Sequence, residues 1–433
     1  MSRFPRPLVC SAVVLFVASA FAQPLKLTPL QASGIYATGE EVGWNVAVEP
    51  DAKLPAEGLA WTVKENNFTL LKSGVLHPAD APAPITVTLD HPAMVYLEIA
   101  PAEKGGKPMA AGAAVAPTKL RPVAARPADF DAFWAGKIEQ LGKIPVGAVL
   151  SPGDSGKPGV EYATIRMNNI NGSHIYGQLA KPAGEGKFPA MLIMQWAGGP
   201  YPLQKSWVVD RAAEGWLALN IEPHDVPGDL PKEFYDALPT LIKRYNTIYN
   251  DDRDRNYFLR MYLGDYRAAE YLASRPDWNG KILVATGTSM GGQQTLAVSG
   301  LEPKITHMLA LVPAGADSNA ALHGRHEGYP NWDVRNPKVA ETALYFDTVN
   351  LASRIHAKCL VGMGFIDNVC PAVGVWTAFN QIPGPKEPAP LVYAAHNNQS
   401  TAEQLKPYND RATEWFAQLV KGQEPQVRPL ETR

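Results

Sequence analysis

Cysteine is scarce in this sequence, with three residues among 433. Cys10 lies in an apolar segment near the N-terminus, which leaves Cys359 and Cys370 for the rest of the chain. Residues 359–365 read as a strand, so its ends would lie about 20 Å apart at roughly 3.3 Å per residue. A disulfide needs Cα atoms within about 7 Å of each other. We therefore expect two free, buried thiols and no disulfide between them.

The chain also lacks an excess of charge of either sign. Its 40 Lys and Arg residues stand against 42 Asp and Glu residues, a net charge of −2, and no basic run or heptad repeat occurs. Such a chain has no general attraction for nucleic acid or for anionic membranes. Beyond the N-terminal segment, no stretch is long and apolar enough to span a bilayer. We expect no nucleic-acid partner and no stable membrane insertion.

The long apolar stretch at the N-terminus has the pattern of a secretory signal. Arg3 and Arg6 supply a positive start, and the apolar residues 8–22 end in small side chains at the point where cleavage would follow Ala22. A membrane anchor is the alternative, but the run is shorter than the ~20 residues that a spanning helix needs. The sequence predicts that residues 1–22 are a signal peptide and that the mature protein is exported, to the periplasm or beyond.

Length and composition predict two domains, because 433 residues exceed one usual domain and 46% of them are hydrophobic. Residues 23–118 contain short runs with apolar side chains at alternate positions, separated by turn residues, as a small immunoglobulin-like β-sandwich would. Residues 103–127, rich in Gly, Ala and Pro, read as the segment that closes this domain and links it onward. The strand-like runs are residues 39–50, 58–66, 85–91 and 93–101.

Residues 119–433 change to alternating buried strands and helices, which predicts an α/β fold with a mostly parallel sheet. Helical spacing of apolar residues occurs in residues 257–275, and residues 400–420 open with Ser400 and Glu403, a candidate capping box. The continuous apolar runs of strand length are residues 188–196, 216–223, 281–287, 307–315, 359–365 and 389–395.

Residues 287–291, Gly-Thr-Ser-Met-Gly, match the pattern G-x-S-x-G and are followed by Gly292. A strand precedes them and a helix follows, which is the context of the nucleophile elbow of α/β-hydrolases. The glycines allow a sharp turn in which a Cβ would collide with neighbouring elements. We therefore predict that Ser289 is a nucleophile and that the Met290 N–H, at the start of the helix, is an oxyanion donor. A simple structural turn is the alternative.

A serine nucleophile needs a base and an acid that orients it, in the chain order Ser, Asp or Glu, His. His396 follows the last predicted strand and is our base. Asp367 follows the strand at 359–365, at the same edge of the sheet as Ser289, and is our acid. The other histidines after the serine are His307, His323, His326 and His356, and the other acids considered are Asp317, Asp333, Glu341 and Asp347.

The second oxyanion donor should come from the loop after the strand at 188–196. Its residues 197–200, Ala-Gly-Gly-Pro, let backbone N–H groups approach a substrate, and we select Ala197. The mechanism needs no cofactor. His323, His326 and Glu327 lie close together in sequence, but zinc sites usually take three or four well-spaced ligands and no partner cluster is present, so we predict no metal.

From residue 126 to 420 the chain resembles the acetyl xylan esterase and cephalosporin-C deacetylase family of carbohydrate esterases. The segments that carry the resemblance are RPADFDAFW (126–134), YFLRMYLGDYRAAEYL (257–272), GTSMGG (287–292) and GMGFIDNVCPAVGVWTAFNQIPGPKE (362–387). The resemblance implies the same roles for Ser289, Asp367 and His396, an acetylated carbohydrate as substrate, and homo-oligomer formation. Three positions depart from the family: Gln195-Trp196 replaces His-Gly, residues 220–225 replace a segment with Arg-Gly-Gln, and Asn397 follows the histidine in place of Glu.

Two other functions remain open from sequence. A prolyl-oligopeptidase-like peptidase shares the order of the three residues and the elbow, although residues 23–118 are too few for the large propeller such peptidases carry. A carbohydrate-binding protein with a vestigial hydrolase domain is the other. The aromatic side chains of Trp44, Trp61 and Tyr96 would form either the core of the β-domain or a platform for glycans.

Overall fold

The computed structural model describes residues 24–50, 52, 54–77, 83–103 and 105–430. The predicted signal peptide, residues 1–22, lies outside the described residues. Eight strands come first and form two sheets, which we call the β-domain. They are β1 (Leu25–Pro29), β2 (Ile35–Tyr36), β3 (Glu41–Val48), β4 (Leu59–Glu65), β5 (Thr69–Leu76), β6 (Ile85–Thr88), β7 (Ala93–Ile99) and β8 (Met109–Val115).

The two sheets of the β-domain have the strand orders β1-β3-β6 and β2-β8-β7-β4-β5, and all neighbours except β2 and β8 are antiparallel. Apolar side chains from both sheets meet in one core, which includes the fully buried Trp44, Val63 and Leu97. The alternating apolar pattern found in the sequence is therefore the pattern of inward-facing residues.

Residues 103–127, predicted to close the β-domain and to link it onward, contain strand β8, which was not recognised as a strand from the sequence. This strand lies between β2 and β7, and its last three residues are fully buried. Its small side chains allow close packing: a Cβ on Gly112 would lie 2.5 Å from the carbonyl oxygen of Phe365, in the second domain. Alanine and glycine here reflect a tight contact between two layers, which looks like a flexible linker in the sequence alone.

The second domain is built on one sheet of nine strands, in the order β17-β16-β15-β14-β12-β13-β11-β10-β9. The six strands from β17 to β13 in that order run parallel, and β11, β10 and β9 are antiparallel at one edge. The strands are β9 (Val149–Gly153), β10 (Val160–Asn168), β11 (His174–Pro182), β12 (Phe188–Ile193), β13 (Leu217–Ile221), β14 (Trp278–Thr288), β15 (His307–Leu311), β16 (Lys358–Gly364) and β17 (Lys386–Leu391).

Ten α-helices belong to the described part of this domain, and apolar cores form on the two faces of the sheet. They are α1 (Phe130–Gly142), α2 (Ser206–Ala213), α3 (Lys232–Asp236), α4 (Thr240–Lys243), α5 (Tyr257–Ser274), α6 (Met290–Leu301), α7 (Pro337–Phe346), α8 (Thr348–Ala352), α9 (Ala372–Gln381) and α10 (Ala402–Leu419). Short 3-10 helices span Pro117–Lys119, Ile170–Gly172, Tyr245–Thr247, Ala320–His323 and Asn397–Gln399.

Two boundaries near the C-terminus differ from the prediction. β17 is Lys386–Leu391, not residues 389–395; as the edge strand beside β16 it accommodates two prolines, whose missing N–H groups face no neighbouring strand. The capping box of α10 is formed by Thr401 and Gln404, not by Ser400 and Glu403, because the helix begins one residue later. Among the described residues, no helix combines the length and hydropathy needed to cross a membrane.

Candidate active site

Ser289 occupies the turn between β14 and α6 in a strained backbone conformation. Its φ of 61° and ψ of −122° are rare for a residue with a side chain, and such strain costs on the order of 1–3 kcal/mol. Backbone hydrogen bonds hold the turn: the Ser289 N–H donates to the Leu311 carbonyl at 3.0 Å, and its carbonyl accepts from Gln293 at 2.9 Å and from Ala314 at 3.0 Å. The side chain of Ser289 is thereby fixed where the parallel strands end.

The glycines around Ser289 are required by close backbone packing. A Cβ on Gly287 would lie 2.5 Å from the backbone of Gly291, and a Cβ on Gly291 would lie 2.8 Å from the carbonyl oxygen of Met194. A Cβ on Gly292 would lie 2.8 Å from the Cα of Pro313. Backbone atoms cannot move aside as a flexible side chain could, so each of the three positions excludes a larger residue.

The structure brings Ser289, His396 and Asp367 into one hydrogen-bonded chain. Nε2 of His396 lies 2.8 Å from the Ser289 Oγ, and Nδ1 of His396 lies 2.8 Å from Oδ2 of Asp367. The three residues are only 4–5% exposed. This is the arrangement in which an imidazole can take a proton from a serine while a carboxylate keeps the other ring nitrogen protonated.

Asp367 is held by its own loop, residues 365–371, which we call the acid loop. Its Oδ1 accepts the backbone N–H groups of Val369 and Cys370, both at 2.8 Å. These bonds occupy the oxygen that faces away from His396, so the other oxygen is directed at the imidazole. The turn between β16 and α9 therefore sets the orientation of the carboxylate.

Both described cysteines are free and buried, as predicted. Cys370 lies beside the candidate triad, where its Sγ and one atom each of Asp367 and His396 are within 4.8 Å of one another. A metal would need a thiolate there, but burial, with the nearby Asp367, raises the pKa of Cys370 well above its usual value. The carboxylate and the imidazole are also committed to each other, so the donor set does not suit a metal ion.

Several of the other acids and histidines considered in the sequence have structural partners. Asp317 pairs with Arg325 at 2.5 Å, and Asp347 caps α8 and accepts two further backbone N–H groups. His307 bonds Thr306 and Glu424. In the described part of the chain, His323, His326 and Glu327 do not form a cluster of potential metal ligands.

One predicted oxyanion donor lies at the start of α6, and the other lies in a loop that packs on this helix. Met290 is the first residue of α6, where the helix offers no acceptor for its N–H. Ala197 lies in residues 194–200, the oxyanion loop, which packs on α6 through Gly291 and through the bond from Gln294 Nε2 to the Gln195 carbonyl at 3.0 Å. Among the described residues, the Ala197 N–H donates to no protein acceptor.

His224 supports the oxyanion loop and was given no role from sequence. Its Nε2 lies 3.1 Å from the Gly198 carbonyl oxygen, and its Nδ1 lies 2.8 Å from the hydroxyl of Tyr257. Burial lowers the pKa of His224 to about 3, so the ring is neutral. A neutral ring can donate from Nε2 to the carbonyl and accept at Nδ1 from the tyrosine, whose oxygen in turn accepts from Arg260.

Glu222, two residues before His224, is a second buried group with no role assigned from sequence. It is 2% exposed, and neither carboxyl oxygen has a hydrogen-bond partner among the described residues. Burial raises the pKa of Glu222 well above its usual value, because the charged form would lose its hydration there. Both residues lie in the segment that departs from the family at residues 220–225, and that departure was the available signal.

Two tyrosines, Tyr245 and Tyr329, pack against the side chain of Met290. The buried hydroxyl of Tyr245 contacts both the Met290 sulfur and the hydroxyl of Tyr329. Burial raises the pKa of both tyrosines, so they remain protonated. Tyr245 comes from the irregular segment between α4 and α5, where the sequence has no recognisable pattern.

The β-domain packs directly on the acid loop. Besides the contact of Gly112 with Phe365, the Asn66 carbonyl accepts the N–H of His326 at 3.0 Å, and the His326 ring lies 3.2 Å from the Asn368 carbonyl oxygen. Met94 of β7 belongs to the same apolar cluster as Phe365. Trp44 and Tyr96 are buried, at 0% and 8% exposure, so these two side chains are core residues and not a glycan platform.

Similarity to known proteins indicates the family of this chain. Residues 117–419 match the family model described as acetyl xylan esterase (AXE1). The acetyl esterase Axe7A of Xylanibacter ruminicola is 32% identical over 301 residues, which are 66% of this chain and 67% of that protein.

Two solved structures share the fold. The acetyl xylan esterase from Paenibacillus sp. R4 has a TM-score of 0.59 at 21% identity, covering 70% of this chain and 98% of that one. Acetyl xylan esterase 1 from Thermoanaerobacterium sp. JW/SL YS485 has a TM-score of 0.58 at 19% identity, covering 70% and 97%. The predicted α/β-hydrolase fold is confirmed, and the chain belongs to the acetyl xylan esterase family.

Proposed function

We propose that this protein is a serine esterase that removes acetyl or other short acyl groups from carbohydrate esters such as acetylated xylan or xylo-oligosaccharides. The observation that carries the proposal is the unbroken hydrogen-bonded chain from Ser289 through His396 to Asp367 on a strained elbow. Membership of the family supports the ester, and the names of the relatives support the acetyl group and the sugar.

In the first half-reaction, the Ser289 Oγ attacks the carbonyl carbon of the ester while Nε2 of His396 takes its proton. The carbonyl π electrons move to the oxygen, and the N–H groups of Met290 and Ala197 donate to that oxyanion. When the tetrahedral intermediate collapses, the bond to the sugar oxygen breaks and His396 returns the proton to it. The products are a free sugar hydroxyl and an acyl-serine.

In the second half-reaction, water attacks the acyl-serine and gives a proton to Nε2 of His396. The second tetrahedral intermediate expels the Ser289 Oγ, which takes the proton back, and the carboxylic acid leaves. Asp367 accepts from Nδ1 throughout, which keeps Nε2 facing the serine and stabilises the imidazolium in each half-reaction. No electron acceptor or cofactor enters either step.

The alternatives from sequence have less support. The two sheets of the β-domain share a single core and pack on the acid loop, which is not the arrangement of a propeller over a peptidase site. A vestigial hydrolase would have no need to retain a strained serine in contact with a buried histidine, since strain of this kind costs stability.

The test is acetate release from acetylated xylo-oligosaccharides by the mature protein, with Ser289→Ala as its control. We expect the variant to lose at least about 10⁴-fold in kcat, as serine hydrolases do when the nucleophile is removed. Near wild-type turnover by Ser289→Ala would overturn the proposal. Hydrolysis of p-nitrophenyl acetate without release from the sugar would retain the serine mechanism and reject the carbohydrate substrate.

We also propose export after cleavage behind Ala22 and assembly into a homo-oligomer. The charge pattern of residues 1–22 supports export, and the family resemblance supports assembly. Cell fractionation with N-terminal sequencing of the mature protein tests the first. Light scattering of the purified protein tests the second, and a monomer mass at micromolar concentration would reject it.

A further inference from the structure

The peptide unit that joins Trp196 to Ala197 contains the N–H of Ala197, the predicted second oxyanion donor. The Tyr201 side chain binds the carbonyl of the same peptide unit. The hydroxyl of Tyr201 donates to the Trp196 carbonyl oxygen at 3.1 Å. In a trans peptide the carbonyl and the N–H of the same plane point in opposite directions. We propose that Tyr201 is a positioning residue of the oxyanion hole, which anchors the Trp196 carbonyl so that the Ala197 N–H stays directed at the substrate. This inference rests on the proposed esterase function.

The Ile193 carbonyl determines which groups around Tyr201 donate hydrogen bonds and which accept them. Nδ2 of Asn220 donates to the Ile193 carbonyl at 2.9 Å, which turns Oδ1 of Asn220 toward Gln195. Nε2 of Gln195 donates to that oxygen at 3.1 Å. The remaining Oε1 of Gln195 must then face Tyr201, at 2.9 Å, and can only accept.

Tyr201 therefore serves as the donor to both of its partners. Its hydroxyl proton lies between the Gln195 Oε1 and the Trp196 carbonyl, and its ring stacks on the Trp196 indole with centroids 6.1 Å apart and planes at 21°. Burial raises the pKa of Tyr201 above its usual value, so the proton stays in place. Ring and hydroxyl together restrain the peptide plane before the substrate arrives.

Loss of this bond should affect the transition state more than substrate binding. An oxyanion donor is worth most when charge has developed on the carbonyl oxygen, and removal of one costs about 100- to 1,000-fold in kcat. In Tyr201→Phe the donor remains but its peptide plane is free to rotate. We therefore expect kcat to fall roughly 10- to 100-fold with KM within about threefold of wild type.

The experiment compares Tyr201→Phe with Tyr235→Phe in the full mature chain. Tyr235 is a matched control because its hydroxyl also donates to a backbone carbonyl, that of Pro227, at 2.6 Å, but outside the oxyanion loop. Thermal melting establishes that each variant is folded at the assay temperature. We measure kcat and KM for p-nitrophenyl acetate, and inhibition by an alkyl boronic acid that forms a tetrahedral adduct with serine.

The proposal predicts that Tyr201→Phe loses boronate affinity by about the same factor as kcat/KM, whereas Tyr235→Phe changes neither by more than about twofold. If Tyr201→Phe keeps both values within twofold of wild type, or if both variants lose them equally, the positioning role is rejected. Ser289→Ala distinguishes failure of the esterase proposal from failure of the Tyr201 proposal. Full activity in that variant rejects the esterase mechanism itself, whereas an inactive Ser289→Ala beside a fully active Tyr201→Phe rejects only the role of Tyr201.

Discussion

At the scale of single residues, close backbone packing defines the site, because an added Cβ atom would collide at several positions. Ser289 adopts a conformation that favours glycine, while its neighbours Gly287 and Gly291 are glycines because backbone atoms lie where a Cβ would be. The residue that performs the chemistry thus has a strained backbone, and the glycines two positions before and after it have no side chain. This combination explains why the short motif could be recognised from sequence. Each of its three fixed positions, the two glycines and the serine, meets a steric or chemical requirement.

The glycine requirement can be tested with Gly287→Ala. The added Cβ meets the Gly291 backbone at 2.5 Å, so the elbow must shift and Ser289 must leave its position against His396. We expect kcat to fall more than tenfold and the free energy of unfolding to fall by about 1–3 kcal/mol, as overpacking does. Esterase kinetics and urea unfolding measure the two effects.

Gly136→Ala in α1 is the matched control for that variant, because nothing lies within 4 Å of the added methyl group. Removing a glycine from a helix interior should stabilise the protein by roughly 0.5–1 kcal/mol without changing kcat. Equal kinetics for Gly287→Ala and Gly136→Ala would show that the elbow tolerates a side chain, against the steric argument.

His224 gives the stability of the protein a dependence on pH. Its pKa is lowered to about 3 by burial, whereas a histidine in an unfolded chain titrates at about 6.5. Between these values the unfolded state binds a proton that the folded state does not, so the free energy of unfolding falls as the pH falls from 6.5. The expected contribution is about 1.4 kcal/mol per pH unit.

The measurement is urea unfolding of wild type and His224→Gln at several values between pH 4.5 and 6.5. The slope against pH should be shallower in the variant by up to about 1.4 kcal/mol per unit. Glu222, 3.9 Å from the ring, has a raised pKa and contributes the opposite slope, but it is present in both proteins. Parallel slopes would mean that His224 binds its proton equally in the folded and unfolded states, against a lowered pKa.

At the scale of elements, the sequence predicted those parts of the fold that depend on local pattern. The central strands β12 to β16 are buried on both faces and appear as continuous apolar runs, and α5 appears through its spacing. The elbow, the acid loop and His396 could be predicted because each lies shortly after a predicted strand. In β8, where the side chains are small, no strand was recognised, and in β17, which contains two prolines, the strand was predicted too far toward the C-terminus.

The supports of the oxyanion loop could not be predicted in the same way. Gln195, Asn220 and Tyr201 meet through amide and hydroxyl groups whose partners depend on how the oxyanion loop packs against β13. Nothing in the spacing of these residues encodes that contact. The sequence indicated only where the family pattern is absent, at Gln195-Trp196 and at residues 220–225, and the structure places a connected hydrogen-bond network at both.

At the scale of the whole molecule, the β-domain and the catalytic sheet share one apolar cluster. Ile35, Met94 and Ala114 of the β-domain belong to the same apolar cluster as Phe365, the first residue of the acid loop, and Trp376 of α9. The family match begins at residue 117, so the β-domain is outside the matched part of the chain and yet contacts the segment that holds Asp367. A domain attached in this way can influence the triad without touching the substrate.

Gly112→Ala tests that connection between domains. The new Cβ lies 2.5 Å from the Phe365 carbonyl oxygen, and Phe365 begins the acid loop, so the strain is transmitted to the carboxylate that orients His396. We expect kcat to fall several-fold and the free energy of unfolding to fall by about 1–3 kcal/mol.

Ala110→Ser, at a partly exposed position of the same strand, should leave kcat unchanged. If Gly112→Ala lowers stability but keeps the kcat of wild type, the β-domain stabilises the chain without positioning the triad, because a displaced carboxylate cannot leave the rate of proton transfer unchanged.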